Sequence, residues 1–120
     1  MSRIATIPDG KILDYIGKLH NDTQEEHVLQ TIERRLVEEH RYPVNQIAVE
    51  FTLKNGSRRP RADIVIFGRD SERAQSAIRI IVECKKSIVK PCATKDGIEQ
   101  LKSYMSLCVN CEWGMWTNSV

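Results

Sequence analysis

The apolar run Ile80-Ile81-Val82 ends on Glu83-Cys84-Lys85-Lys86, and no other stretch constrains the fold as much. Three consecutive β-branched residues read as a strand buried in a sheet. A buried strand that finishes on a carboxylate and an ammonium puts charge where desolvation is expensive unless something meets it. Two partners fit: a structural ion pair at the strand end, or a cation held there to work on phosphate. The residues that neighbouring elements bring to the same spot decide between them.

Periodicity places those elements. Thr23 followed by Glu26 fits a capping box, and Val28, Leu29, Ile32, Leu36 and Val37 recur at helical spacing until His40-Arg41-Tyr42-Pro43 stops the helix near residue 40. Ahead of it, Ile12, Tyr15, Ile16 and Leu19 show a short helical pattern, so residues 1–21 are expected to form a small arm packed on the core. Residues 46–54 alternate apolar and polar side chains as a strand, Asn55-Gly56 is a hairpin signal, and residues 61–67 form the next strand. A polar stretch, 68–77, leads into the strand that ends on Glu83 and Lys85. Asp96 stands as a possible N-cap for a helix carrying Ile98, Leu101, Met105 and Leu107, and residues 112–120 close as a last strand. The order is helix, three-strand meander, helix, strand. With 120 residues the chain buries one core but not two, so residues 22–120 form a single α/β domain with the arm against it.

The hairpin geometry tests whether Glu83 meets a second acid. If 68–77 is the loop, its centre lies near residue 73, and Asp63 and Glu83 stand equally far from it on adjacent strands. Two facing carboxylates repel unless a cation bridges them. Lys85 shares the face of Glu83 because strand periodicity is two, while Cys84 points the other way and leaves its carbonyl at the strand edge. With a two-residue Asn55-Gly56 turn, Ala48 opposes Asp63 and Glu50 lies one step along the same face. A longer loop flips that parity, which leaves Glu50 open. Glu25 precedes Val28 by three residues and Ile32 by seven, so it shares the inward stripe of the first helix. Carboxylates of this kind suit Mg²⁺ or Mn²⁺, with Lys85 to position a nucleophile or offset developing charge. An ion-pair cluster of Asp63, Lys85 and Glu83 remains the competing reading of the same residues.

Bulk properties exclude little. The net charge of +2 is too small to imply nucleic-acid binding. Basic residues do cluster, as Lys54, Arg58, Arg59 and Arg61 and again as Lys85, Lys86 and Lys90, although such runs are commonly solvated surface. No apolar run approaches the roughly 20 residues that span a bilayer, and the first residues lack a signal peptide's apolar stretch, so the cytoplasm is the expected location. Cys108 and Cys111 form a lone C-x-x-C, a weak zinc signal without a second pair. Cys84, Cys92, Cys108 and Cys111 are expected to be buried or inert thiols.

Taken in order, Asp63 and then Glu83-Cys84-Lys85 resemble the PD-(D/E)xK nuclease signature, with Arg61-Ala62 where a proline often precedes the Asp. Gln100 and Tyr104 in "QLKSY" resemble the Q-x-x-x-Y motif of its RecB-type branch. The ordered set "RADIVIF", "IIVECKK", "DGIEQLKSYM" and "GMWTNS" is similar to the N-terminal nuclease domain of type I restriction enzyme R subunits, and "YIGKLHNDTQEEHVLQ" and "RYPVNQIAVE" fit that family's start, from about residue 12 onward. The resemblance implies a restriction-endonuclease-like α/β core, a mixed central sheet of about four strands flanked by helices. It also implies Mg²⁺- or Mn²⁺-dependent endodeoxyribonuclease activity in restriction or defence. Asp63 and Glu83 would be metal ligands, Lys85 the catalytic lysine, and Gln100 and Tyr104 would steady the site or the DNA. Glu25 would be the additional metal-binding acid, with Glu26 its competitor.

Two departures stand out. Ser119 occupies the place after Thr117-Asn118 where the family has glycine. R subunits also continue into an ATP-driven translocase, and no G-x-x-x-x-G-K-[ST] phosphate loop occurs here. Translocase domains and specificity or modification subunits of a restriction complex are therefore expected partners, along with DNA. The alternative is a DNA-binding or regulatory module that keeps the nuclease fold without cutting.

Overall fold

The computed structural model describes residues 10–13, 19–21, 23–93 and 95–118. In chain order the elements are β1 (Lys11–Leu13), β2 (Leu19–Asn21), α1 (Gln24–Glu38), β3 (Ile47–Thr52), β4 (Arg61–Phe67), β5 (Ile78–Cys84), α2 (Ile98–Ser106) and β6 (Trp113–Thr117). One sheet has the order β3-β4-β5-β6. Its first two pairings are antiparallel hairpins and β5–β6 is parallel. The parallel pair follows from the connection: a strand can return alongside its predecessor in the same direction only through a crossover, and α2 supplies it. The expected α/β class, with a four-strand mixed sheet and two helices, is what the chain forms. No helix among the described residues is long and apolar enough to cross a membrane.

Each sheet face carries one helix. On one side Val28, Leu29, Ile32 and Leu36 of α1 bury against Ile47, Ile64, Ile66, Val82 and Cys84. On the other, Leu101 of α2 and Cys108 pack with Val65, Phe67, Ile78 and Ile81. β4 and β5 are thus covered on both faces, which is why their sequences run apolar instead of alternating. Thr23 caps α1 as its spacing predicts, its Oγ1 accepting the Glu26 N–H at 3.1 Å.

The arm differs from expectation. Residues 11–13 and 19–21 are strands, paired Lys11↔Asn21, Ile12↔His20 and Leu13↔Leu19, not a helix. The misleading pattern was too short to hold a helix by itself and has Gly17 inside it, which costs about 1 kcal/mol relative to alanine. The arm's side chains, and so its packing on the core, lie outside the described residues.

The loop from Lys85 to α2 is held by backbone contacts at Gly97. The Gly97 N–H donates to Ala93 O (3.1 Å), and the next N–H, of Ile98, donates to Pro91 O (2.8 Å). A Cβ at Gly97 would overlap both of those carbonyl oxygens. Because rigid backbone, not a movable side chain, occupies that space, Gly97→Ala is expected to lower stability by about 2–3 kcal/mol. A urea melt of the two proteins checks this; an unchanged midpoint would show that the loop has room to give.

Candidate active site

The central hairpin has the register its loop length predicts. Ile64 pairs with Val82 and Val65 with Ile81, so one step further Asp63 stands opposite Glu83. A register shift at Ile66/Phe67 lies on the far side of this point and does not disturb it. The two acids interlock through the backbone. Cys84 N–H donates to Asp63 Oδ2 at 2.8 Å, and Asp63 N–H points at Glu83 Oε1 at 3.4 Å. Lys85, two residues beyond Glu83, brings its Nζ to 3.8 Å from Glu83 Oε2. Glu83 is 1% exposed and Lys85 7%, so both charges are set deep in the sheet end.

Burial decides the electrostatics of this group. Desolvation first, and then the Asp63 charge beside it, push the Glu83 carboxyl up to about 9; Lys85 pulls the other way but does not offset them. With no cation present, Glu83 is therefore held toward its protonated form at neutral pH. Glu25 is also raised, mainly by burial, and it feels Lys85, Asp63 and Asp96. Glu25, half-buried in the first turn of α1, therefore feels the same group of charges. Glu26 is buried, and its Oε1 accepts from Gln30 Nε2 at 3.2 Å. From α2, Tyr104 is raised by burial and then by Glu83 and Asp63, while Gln100 beside it favours the ionised phenol. The Gln100 Oε1 is sealed from solvent without a hydrogen-bond partner.

Glu50 reaches the neighbourhood by a different register from the one expected. Asn55 pairs with Arg58, so the turn is Gly56-Ser57, and Gly56 at φ +61 takes the first central position, where a II′ turn favours glycine. The whole hairpin shifts by two, and Glu50, flanked by the pairs Val49↔Ile64 and Phe51↔Ala62, falls opposite Asp63 where Ala48 was expected. Glu50 itself sits at φ 51, a left-handed conformation rare for a non-glycine residue in a strand. That kink breaks the in–out alternation, and Ala48 and Phe51, three apart, both pack toward α2. The Glu50 carboxylate lies 3.9 Å from Arg61 Nη1. It is not among the main charges acting on Glu83, Glu25 or Tyr104.

Asp96 is the site residue that spacing did not reveal. Gly97, not Asp96, is the N-cap of α2, and no side chain caps that end. The Asp96 carboxylate instead approaches Lys85 Nζ at 3.9 Å, and Trp116 Nε1 donates to Asp96 O at 2.8 Å. Only the closure of β6 beside β5 brings these together, so no local pattern marks them. Among the described residues no three His, Cys, Asp or Glu side chains gather into a group able to enclose an ion. The acids form a pair, with main-chain carbonyls and water left to complete any coordination. Cys84 is fully buried on the α1 side of the sheet, away from the acids' face, as expected. Burial raises the Cys84, Cys108 and Cys111 thiols, so none is poised as a thiolate.

The sequence pattern of the family described as "Type I restriction enzyme R protein N terminus" matches residues 24–120. The chain belongs to this family. The match takes in every site residue from Glu25 to Tyr104 and begins at residue 24, later than the residue 12 at which the resemblance was read. No curated protein and no solved structure matches the chain. As an R-protein N-terminal domain, it is a module of a restriction system.

Proposed function

We propose that this R-protein N-terminal domain is a PD-(D/E)xK endodeoxyribonuclease that hydrolyses DNA phosphodiester bonds with Mg²⁺ or Mn²⁺. It would act in the cytoplasm within a restriction complex that also holds translocase and specificity parts. The observation that carries the reading is the half-buried Asp63 set against the fully buried Glu83, with Lys85 on the same face. Glu83, desolvated by burial and then opposed by the Asp63 carboxylate, is costly to ionise alone, and a site built to take a cation accounts for that cost. Two carboxylates and the Cys84 carbonyl at the strand edge are donors of the kind a hard ion takes, and Glu25 of α1, outside that pair, would be the additional acid.

When bound, such an ion polarises the scissile phosphate and makes water a better nucleophile at neutral pH. The chain's own residues do the rest. Asp63 and Glu83 hold the ion and are fixed by backbone N–H groups and burial, so they need not reorganise. Lys85 presents a cation to the charge that builds on the phosphate as water adds and the sugar oxygen leaves with a proton. Asp96 keeps that ammonium from collapsing wholly onto Glu83. Gln100 and Tyr104 border the site from α2. The test is metal-dependent nicking of supercoiled plasmid, compared between the wild type and Asp63→Asn.

A further inference from the structure

A groove of about 540 Å³ runs between the tip of the β3–β4 hairpin and α2. Arg58 and Arg59 line one wall; Lys95, Gln100, Ser103 and Tyr104 line the other. Three features set it apart from ordinary solvated surface. First, its cations are unspent: among the described residues Arg58, Arg59 and Lys95 make no ion pair, whereas Arg61, next along the hairpin, is drawn to Glu50. Glu99, the acid at the groove, is engaged by Lys102 at 3.3 Å. Second, the basic wall is braced. Arg59 Nη1 donates to Gly56 O at 2.6 Å and to Arg58 O at 2.7 Å, which holds a guanidinium over the turn with donors to spare. Third, the groove borders the acids' neighbourhood: Lys95, which lines it, precedes Asp96, whose carboxylate approaches Lys85 Nζ at 3.9 Å.

The geometry points to this groove as the track for the sugar-phosphate backbone of a nucleic-acid strand entering the Asp63–Glu83 site. The inference rests on the nuclease reading for what lies at the groove's end, and it adds which surface holds the substrate and by what chemistry. Cations spaced along an open polar groove match a chain of phosphates, not an apolar ligand, which would need an enclosed apolar pocket. Cations that meet phosphates bind whatever the base, so the binding is dominated by a sequence-independent term and is steep in salt. Lys86 and Lys90, grouped with these residues in the sequence, do not line the groove; Lys95 takes their place.

The experiment is fluorescence anisotropy of a labelled 20-base-pair duplex, and of one of its strands alone, titrated with the protein in chelator across a range of salt. Chelator keeps the DNA uncut. The Arg58→Ala/Lys95→Ala protein is expected to bind about tenfold more weakly at 0.1 M salt. Its salt slope should be shallower by about 1.8 on duplex and about 1.4 on single strand. A control, Arg34→Ala/Arg69→Ala, removes two exposed cations elsewhere and should leave the slope closer to wild type. An unchanged slope in the groove variant, or an equal loss in the control, overturns the proposal. Plasmid nicking by the same wild-type protein separates the two readings. Cutting with no groove effect retires the groove and leaves the nuclease; a groove effect with no cutting leaves the groove and retires the nuclease.

Discussion

Glu83→Gln is expected to raise the stability of the metal-free protein at pH 8.5 and to leave it little changed at pH 5.5. The sign follows from linkage. Burial and Asp63 raise the Glu83 carboxyl above its ordinary value, to about 9, so between the unfolded value and that point the folded chain binds a proton that the unfolded chain has lost. Stability contributed by the held proton is full at low pH and drains away as pH rises through this window. Glutamine stands in for the protonated acid at every pH: its carbonyl can still accept the Asp63 N–H, and its amide can donate to the Asp63 carboxylate. One unit of realised shift corresponds to about 1.4 kcal/mol, or roughly 4 °C in Tm for a domain of this size. Thermal melts in chelator at the two pH values read it directly. A structural ion pair predicts the reverse, because removing Glu83's charge would deprive the buried Lys85 of a partner and cost several kcal/mol.

Lys85→Ala and Asp63→Asn are each expected to reduce metal-dependent DNA cleavage by about a thousandfold or more, and they should differ in binding. Lost electrostatic stabilisation at one preorganised position ordinarily costs two to three orders of magnitude, and an ion's ligand more. Asp63→Asn removes negative charge from beside the phosphates, so DNA affinity in chelator should hold or rise. Lys85→Ala removes a cation from the same place and should weaken binding modestly. Neither change should unfold the protein, since Glu83 already carries a proton and does not depend on Lys85 alone. Nicking rates with Mn²⁺, measured beside anisotropy on uncut duplex, check both halves. Cleavage that survives either substitution would remove that residue from the chemistry.

Most of the site was legible because β4 and β5 are covered on both faces. Continuous apolar runs bounded by a polar loop leave little choice of pairing, and counting from residue 73 was enough to set Asp63 against Glu83. Lys85 and Cys84 followed from strand parity, whereas on α1 the buried acid of the first turn is Glu26, with Glu25 half-buried beside it. The first hairpin was harder, since its tip is solvent-exposed and apolar burial does not select where its two-residue turn sits. The turn falls on Gly56-Ser57, and Glu50 lands two positions from where Asn55-Gly56 would have put it. No sequence signal marks the left-handed backbone at Glu50. The arm misled because eight residues with an apolar rhythm fit a helix and a short hairpin about equally well. Asp96 and Lys95 escaped because their roles come from the crossover loop, where tertiary closure alone brings them to Lys85 and to the groove.

Calorimetric titration of the metal-free protein with Mn²⁺ shows whether Asp63 and Glu83 form an oxygen-ligand cation site. The wild type should bind Mn²⁺ at one site and release a proton as it does so, seen as a heat that changes between buffers of different ionisation enthalpy, because the ion displaces the proton held by Glu83. Asp63→Ala should lose that binding. No Mn²⁺ binding by the wild type, or equal binding by Asp63→Ala, would leave two facing acids with a structural lysine and no cation site.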